Sequence, residues 1–290
     1  MMGNNESYKT AYGAAYARLL EQYQPKEIRL FEDSLVKNFF GKTISYLLKN
    51  SIMRRVLTFM YNSSSIGLMG LQVCRTKFID DILKEAVDNG IKQLVILGAG
   101  FDTRAFRISS INSIKVFEVD LPFIQDKKKS ILKKHLGELP DNIIFTPVDF
   151  NIQTLDKVLE DKGLDFSKPI IFIWEGVTQY ITEEAVNNTL KFISRASIGS
   201  IVLFSYILKE IIDRTSNSVD TEFITDYFQM GGQKWSFGIN PSEASGFLNQ
   251  YNLTIIKDVG ATYYKENYLK PIGRNLPVSE IERIIYAKII

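Results

Sequence analysis

Gln93-Leu94-Val95-Ile96-Leu97-Gly98-Ala99-Gly100-Phe101-Asp102-Thr103-Arg104 is the stretch whose reading decides the fold. Four apolar residues, Leu94 to Leu97, run into a glycine pair, and a polar, helix-compatible segment follows. An unbroken apolar run that ends at a turn signal is the pattern of a strand buried on both faces. Gly98 and Gly100, with Ala99 between them, let the chain turn sharply and bring bare backbone close to a ligand. A helix from about Thr103 would aim free N–H groups at that ligand. The stretch therefore reads as strand, glycine loop and helix, with a small molecule at the strand's carboxyl end.

The rest of the loop narrows the ligand. A dinucleotide site wants G-x-G-x-x-G, its third glycine allowing close packing under a pyrophosphate. Here Thr103 stands third and Asp102 precedes it. A carboxylate sits poorly beside a pyrophosphate but well beside an ammonium or a sulfonium. S-adenosylmethionine carries both cations and no phosphate, which makes it the expected cofactor.

Composition sets the outer bounds. The chain has 290 residues, 45% hydrophobic and 23% charged, with a formal net charge of +2. So small a charge argues for neither nucleic acid nor an anionic membrane as a partner. A single cysteine, Cys74, excludes an internal disulfide and a multi-cysteine zinc site, and it fits a reducing cytoplasm. Asn4, Asn5 and Glu6, with no long apolar core after them, do not read as a signal peptide. No run approaches the roughly 20 apolar residues of a membrane span. Oligomeric state is not legible.

Outward from the glycine loop the chain divides in two. Residues 1–92 read as a helical arm or lid, with helical spacing over Ala11–Tyr23, Phe31–Phe40, Ile44–Met60 and Arg75–Val87, and a polar turn over Asn62–Ser65. Residues 93–290 alternate strand and helix. Strands are expected at Lys115–Val119, Asn142–Val148, Pro169–Trp174, Ser200–Tyr206, Leu253–Val259 and Ile281–Ile290. Helices are expected over Phe123–Leu136, about Leu155–Leu159, from Thr182 to about Ala196 and over Pro241–Tyr251. Residues 207–240 break the rhythm with an aromatic helix over Thr221–Met230, and read as a cap over the substrate. The expected fold class is α/β: a Rossmann-like, seven-stranded, mostly parallel sheet with helices on both faces and an antiparallel last strand, plus the arm.

Acidic residues punctuate the strand ends. Asp120 lies twenty positions after Gly100, where open α/β folds set an acid on ribose hydroxyls; the competing role is a cap for the next helix. Glu118, two residues back, falls on the same face by alternation and reads as a supporting residue. Asp149 and Phe150 end the third strand and suit an adenine amino group and ring, or else Asp149 or Asn151 caps a helix. Glu175 ends the fourth strand and suits the cationic end of the cofactor, or else a salt bridge. His135, the Lys127-Lys128-Lys129 run and Cys74 read as solvated charges and a small buried hydrophobe.

Taken together, Gly98-Ala99-Gly100-Phe101-Asp102-Thr103-Arg104, Phe117-Glu118-Val119-Asp120-Leu121-Pro122, Asp149-Phe150 and Glu175-Gly176-Val177 with Tyr180 resemble, in order and spacing, the leucine carboxyl methyltransferase family. The resemblance implies cofactor contacts from Gly98, Ala99, Gly100, Asp102, Asp120, Leu121, Asp149, Phe150 and Glu175. It adds Arg75 as the arginine that holds the cofactor's carboxylate, Lys37 as the arm lysine over the cofactor, and Tyr180 as a residue that shapes the substrate site. Asp149-Phe150 departs from the Asp-Leu of many members. The implied activity is S-adenosylmethionine-dependent O-methyl transfer to a carboxylate or hydroxyl of a small, for instance polyketide-like, acceptor. No metal is implied and no catalytic base is assigned. Three alternatives stand beside it. They are methylation of a protein's C-terminal leucine, nicotinamide-dependent oxidoreduction and non-catalytic cofactor binding. Thr103 and the lack of a Tyr-x-x-x-Lys pair after the fourth strand argue against the nicotinamide reading.

Overall fold

The computed structural model describes residues 4–64, 67–149, 155–216 and 235–290. Its centre is a seven-stranded sheet in the order β3-β2-β1-β4-β5-β7-β6. The strands are β1 Gln93–Leu97, β2 Lys115–Asp120, β3 Ile143–Pro147, β4 Ile171–Trp174, β5 Ile201–Ile207, β6 Leu253–Val259 and β7 Glu282–Ile289. β1 to β5 pair in parallel, and β7 lies antiparallel between β5 and β6. Every residue of β1, β4 and β5 is buried, as their unbroken apolar runs require.

Register places the site. Leu97 pairs with Val119 on one side and with Trp174 on the other. The next residues, Gly98, Asp120 and Glu175, therefore emerge at one level of the sheet's carboxyl edge. Ile207 pairs with Glu282, which brings the first residue of β7 to the same edge from the opposite strand direction.

Among its described residues the arm holds four α-helices, α1 Asn4–Glu21, α2 Lys42–Lys49, α3 Ser51–Ser64 and α4 Leu68–Asp88. It shares one hydrophobic cluster with a face of the sheet, where Leu19, Val73, Phe78 and Leu83 meet Leu94, Ile96 and Ile173. Helices α7 Leu155–Asp161 and α8 Glu183–Ile193 cover the other face, packing Leu159, Val186 and Leu190 against Val95, Phe172 and Phe204. Gly70 fits α4 to the chain before β7; a Cβ there would stand 2.0 Å from the Pro277 carbonyl oxygen.

Three expectations about the arm change. Phe31–Phe40 forms only a 3-10 turn, Val36–Phe39, because the Asp33 carboxylate accepts from the Val36 amide and is held in place by Arg18 and Thr103. The single helix over Ile44–Met60 is two, since Asn50 is extended and its side-chain oxygen accepts from the amides of Ile52 and Met53, starting α3. The polar turn expected over Asn62–Ser65 starts inside α3, which runs on to Ser64. The helix expected at Pro241–Tyr251 is reduced to Ala244–Asn249. The one expected at Thr221–Met230 lies outside the described residues.

Candidate functional site

A cavity of 860 Å3 opens at the carboxyl edge of the sheet. The glycine loop forms its floor. Gly98 and Gly100 have φ of +68° and +42°, a region side chains resist. A Cβ on Gly98 would stand 2.3 Å from Val177. The loop is tied to β2, with the Ala99 amide donating to the Val119 carbonyl at 2.9 Å.

Of the residues expected from the sequence, Gly98, Ala99, Gly100, Asp102, Asp120, Leu121, Asp149, Glu175, Tyr180 and Arg75 all line this cavity. Phe150 lies outside the described residues. Lys37 does not line the cavity; it is exposed on the 3-10 turn. Glu118 also departs from expectation. It is buried against helix α6 (Pro122–Leu136), where its Oε2 lies 2.7 Å from Lys128 Nζ. Lys128 is thus only 1% exposed, although it reads as one of three solvated lysines. Burial pushes the Glu118 carboxyl up to about 7, against the pull of Lys128.

Asp120 does not cap α6. Its two oxygens accept from the Gly100 amide at 2.5 Å and the Leu121 amide at 2.6 Å, which fixes the carboxylate at the loop's rim. Burial raises its pKa, while those amides pull the other way. The expected helix from Thr103 is a single turn, α5 Arg104–Arg107, and its first amide is not free: Arg104 N donates to Asp102 Oδ1 at 2.7 Å.

The loop is held in shape by a charge network that sequence reasoning missed. Arg104, 2% exposed, donates to Asp80 at 2.8 Å, Asp102 at 2.5 Å and Glu175 at 2.6 Å. Arg107 pairs with the same Asp80 at 2.7 Å. Arg18 of α1 joins Asp33, Thr103 and the Phe101 carbonyl, at 3.1, 3.1 and 2.6 Å. Burial opposes charge on Asp102 and Glu175, but the neighbouring arginines win and hold both carboxyls below the usual range. Glu175 thus makes the salt bridges that its sequence position allowed while also lining the cavity.

Arg75 of α4 crosses to the sheet edge. Its Nε donates to Glu175 at 2.8 Å and its Nη1 to Glu282 on β7. Burial raises the Glu282 carboxyl, with Arg75 opposing. An isolated acid in the apolar run Ile281–Ile290 was the only sequence signal for this residue. Tyr61, Leu68, Leu71, Ile181, Ile207, Trp235 and Ile281 add apolar surface to the lining, which also takes in Lys9, Thr10, Gln72 and Gln179. Tyr180 belongs to the same lining, and burial pushes its phenol up to about 12. Among the described residues there is no group of three or more His, Cys, Asp or Glu able to hold a metal, and no helix long and apolar enough to cross a membrane.

The profile of the leucine carboxyl methyltransferase family matches residues 11–194. The chain belongs to the leucine carboxyl methyltransferase family. That match takes in the arm, the glycine loop and the acids after β2, β3 and β4. One relative, from Streptomyces avermitilis, is 34% identical over 66% of this chain and 65% of its own length. A second, YktD of Bacillus subtilis, is 26% identical over 99% of both chains. The names of both assign them to the S-adenosyl-L-methionine-dependent methyltransferases. Two solved structures share the fold. A Streptomyces avermitilis protein of the duf574 family superposes with a TM-score of 0.58 at 12% identity, over 84% of this chain and 94% of its own. A Thermobifida fusca protein described as a methyltransferase does so with 0.56 at 17%, over 83% and 91%. Gly98, Asp120 and Glu175, which register gathers at the sheet's edge, all fall within the matched span.

Proposed function

We propose that this cavity transfers a methyl group from S-adenosylmethionine to an oxygen of a small, largely apolar acceptor. Family membership carries the coarser part: the chain is an S-adenosylmethionine-dependent methyltransferase. The finer part rests on one observation, the mixed lining of the cavity. Backbone and carboxylates gather at the glycine loop, and Leu68, Leu71, Ile181, Ile207, Trp235 and Ile281 add apolar surface to the rest of the lining. A volume of 860 Å3 lies within the several hundred to about a thousand Å3 of small-molecule sites.

The residues present fit the cofactor. A Cβ on Gly100 would touch Ala11 of α1 at 3.6 Å, so the bare glycine keeps the gap between loop and α1 clear. Arg104 Nη2 and Gln179 Oε1 are buried with no hydrogen-bond partner among the described residues, and both residues line the cavity. Asp102, Asp120 and Glu175 make the loop hostile to a pyrophosphate and hospitable to a cation. In this reading Asp120 accepts from ribose hydroxyls, Asp149 and Leu121 border the adenine, and Arg75 takes the carboxylate. When bound, S-adenosylmethionine supplies a methyl group already activated by its sulfonium.

What remains for the protein is to orient the acceptor oxygen and keep water out. Trp235, Tyr180 and Ile281 present the surface for the first task, and α1, whose residues from Ser7 to Arg18 line the cavity, serves the second. A carboxylate acceptor is already ionised at neutral pH and needs no general base. The test is incubation of the protein with labelled S-adenosylmethionine and a metabolite extract. Labelled products released by mild alkali are methyl esters, alkali-stable ones are ethers, and label confined to protein C-termini overturns the small-molecule reading.

A further inference from the structure

Helices α2 and α3 form a hairpin whose outer face inverts the usual order of side chains. Tyr46, Ile52, Val56, Phe59 and Met60 are exposed, Tyr46, Ile52 and Phe59 by 76%, 69% and 71%. The other large exposed hydrophobics among the described residues, Leu136, Ile198, Ile256 and Ile290, are scattered singly, which is ordinary. On α3 the exposed residues recur four, seven and eight positions after Ile52, so they form one stripe along the helix. The helix is not short of a core: its opposite side sends Leu57 and Tyr61 into the main cluster. It has a buried apolar side and a second, uncovered one.

Charge around the stripe is one-sided. No Asp or Glu occurs between Asp33 and Asp80, whereas Lys42, Lys49, Arg54 and Arg55 all lie on the hairpin. Arg54 is turned inward, donating to the Leu48 carbonyl at 3.0 Å and lying over the Tyr23 ring. Lys42, Lys49 and Arg55 are exposed. The chain's net charge of +2 hides this segregation. The hairpin also borders the site, because Tyr61 lines both the cleft and an apolar groove walled by Tyr12, Tyr16, Phe39, Phe40 and Ile44.

We propose that the α2–α3 hairpin is a docking element for an anionic lipid surface, with its apolar stripe entering the headgroup region and Lys42, Lys49 and Arg55 meeting lipid phosphates. Exposed apolar tips flanked by cations, with no acid among them, are what interfacial helices present to bilayers. A second copy of the chain fits less well, since it would set cation against cation with no carboxylate between them. Docking in this way would hold the groove and the cleft mouth beside the bilayer, where apolar acceptors concentrate. The proposal stands or falls independently of which oxygen is methylated.

The test is flotation of the full chain with phosphatidylcholine vesicles, with and without phosphatidylglycerol. Phosphatidylglycerol should raise the bound fraction at least about tenfold, and added salt should reverse this. Ile52→Ser with Phe59→Ser, and separately Lys49→Glu with Arg55→Glu, should each weaken binding about tenfold. Thermal midpoints should hold, because all four residues sit at the surface. Equal binding to both vesicles, or binding to neither, overturns the proposal. So does anionic binding that survives Ile52→Ser with Phe59→Ser, which would reduce the surface to a charged patch open to any acidic protein. A concentration-dependent dimer that Phe59→Ser dissolves would give the stripe to a second copy instead.

Discussion

The floor of the cleft and the α2–α3 hairpin use the same residue types in opposite ways. Around the glycine loop, the side chains of Arg18, Arg104 and Arg107 are buried, and each is matched to carboxylates. On the hairpin Lys42, Lys49 and Arg55 are exposed and unmatched by any nearby acid in sequence, while the stripe from Ile52 to Met60 faces out. Buried paired charges contribute little net stability, yet breaking one pair leaves an uncompensated charge. They therefore hold a geometry rather than add stability. The floor is built to keep a shape, and the hairpin is built toward something outside the chain.

The largest effect should come from breaking the floor. Arg104→Ala strands Asp80, Asp102 and Glu175 together, and should cost about 3–5 kcal/mol of unfolding free energy. Arg55→Ala, on the hairpin, should stay within about 0.5 kcal/mol. Denaturant midpoints of the two variants measure the contrast, and a mild Arg104→Ala would mean that the network is ornamental.

Ligand binding should sharpen the comparison within the floor itself. Arg75→Ala should weaken S-adenosylmethionine about ten- to hundredfold while sparing adenosine, which lacks the carboxylate. Asp120→Ala should weaken both ligands by a similar factor, about tenfold or more, because both carry the ribose diol. Calorimetry with the two ligands separates these outcomes; an equal loss in Arg75→Ala would leave the arginine as scaffold.

A pH series probes the buried acids. Glu118 has a native pKa of about 7 against an ordinary value of 4.5, so the native state holds a proton that the unfolded chain has released. Stability from this group is complete below about 4.5 and is lost as pH rises through about 7. Asp102 and Glu175, held low, act in the opposite sense, and their contribution fades as pH falls through the acid range. Replacing the pair, Glu118→Gln with Lys128→Met, should flatten the decline between those two values while leaving the acid limb in place. Denaturation at several pH values reads both limbs. The smallest expected effect is none: EDTA should leave methyl transfer unchanged, and activity restored by a divalent cation would contradict that.

The sheet was legible because burial on two faces demands continuous apolar runs, and Leu94–Leu97, Ile170–Trp174 and Ile201–Phe204 supply them. The acids after β2, β3 and β4 were legible because parallel strands end on one edge. Arg18, Asp80 and Arg104 were not. A charged residue on a helix looks the same in sequence whether it is solvated or clamped, and only the packing of α1 and α4 on the loop tells which. Lys128 failed for the same reason inside its run of three lysines. Glu282 lies 207 residues from Arg75, so nothing local could announce their contact. Asn50 was readable in principle, as a capping residue in mid-helix, but propensity over Ile44–Met60 favoured continuity.

The placing of β7 bears on how the molecule comes into being. Of the seven strands it is the last to leave the ribosome, yet it is inserted between β5 and β6 rather than added at an edge. Until it arrives, β5 presents an open row of backbone donors and acceptors, β6 has no neighbour in the sheet, and Arg75 lacks one of its two carboxylates. Synthesis from one end thus leaves both the sheet and the binding cleft unfinished until the final strand slots in. A nascent chain arrested before Glu282 would carry every glycine of the loop and still lack a finished site.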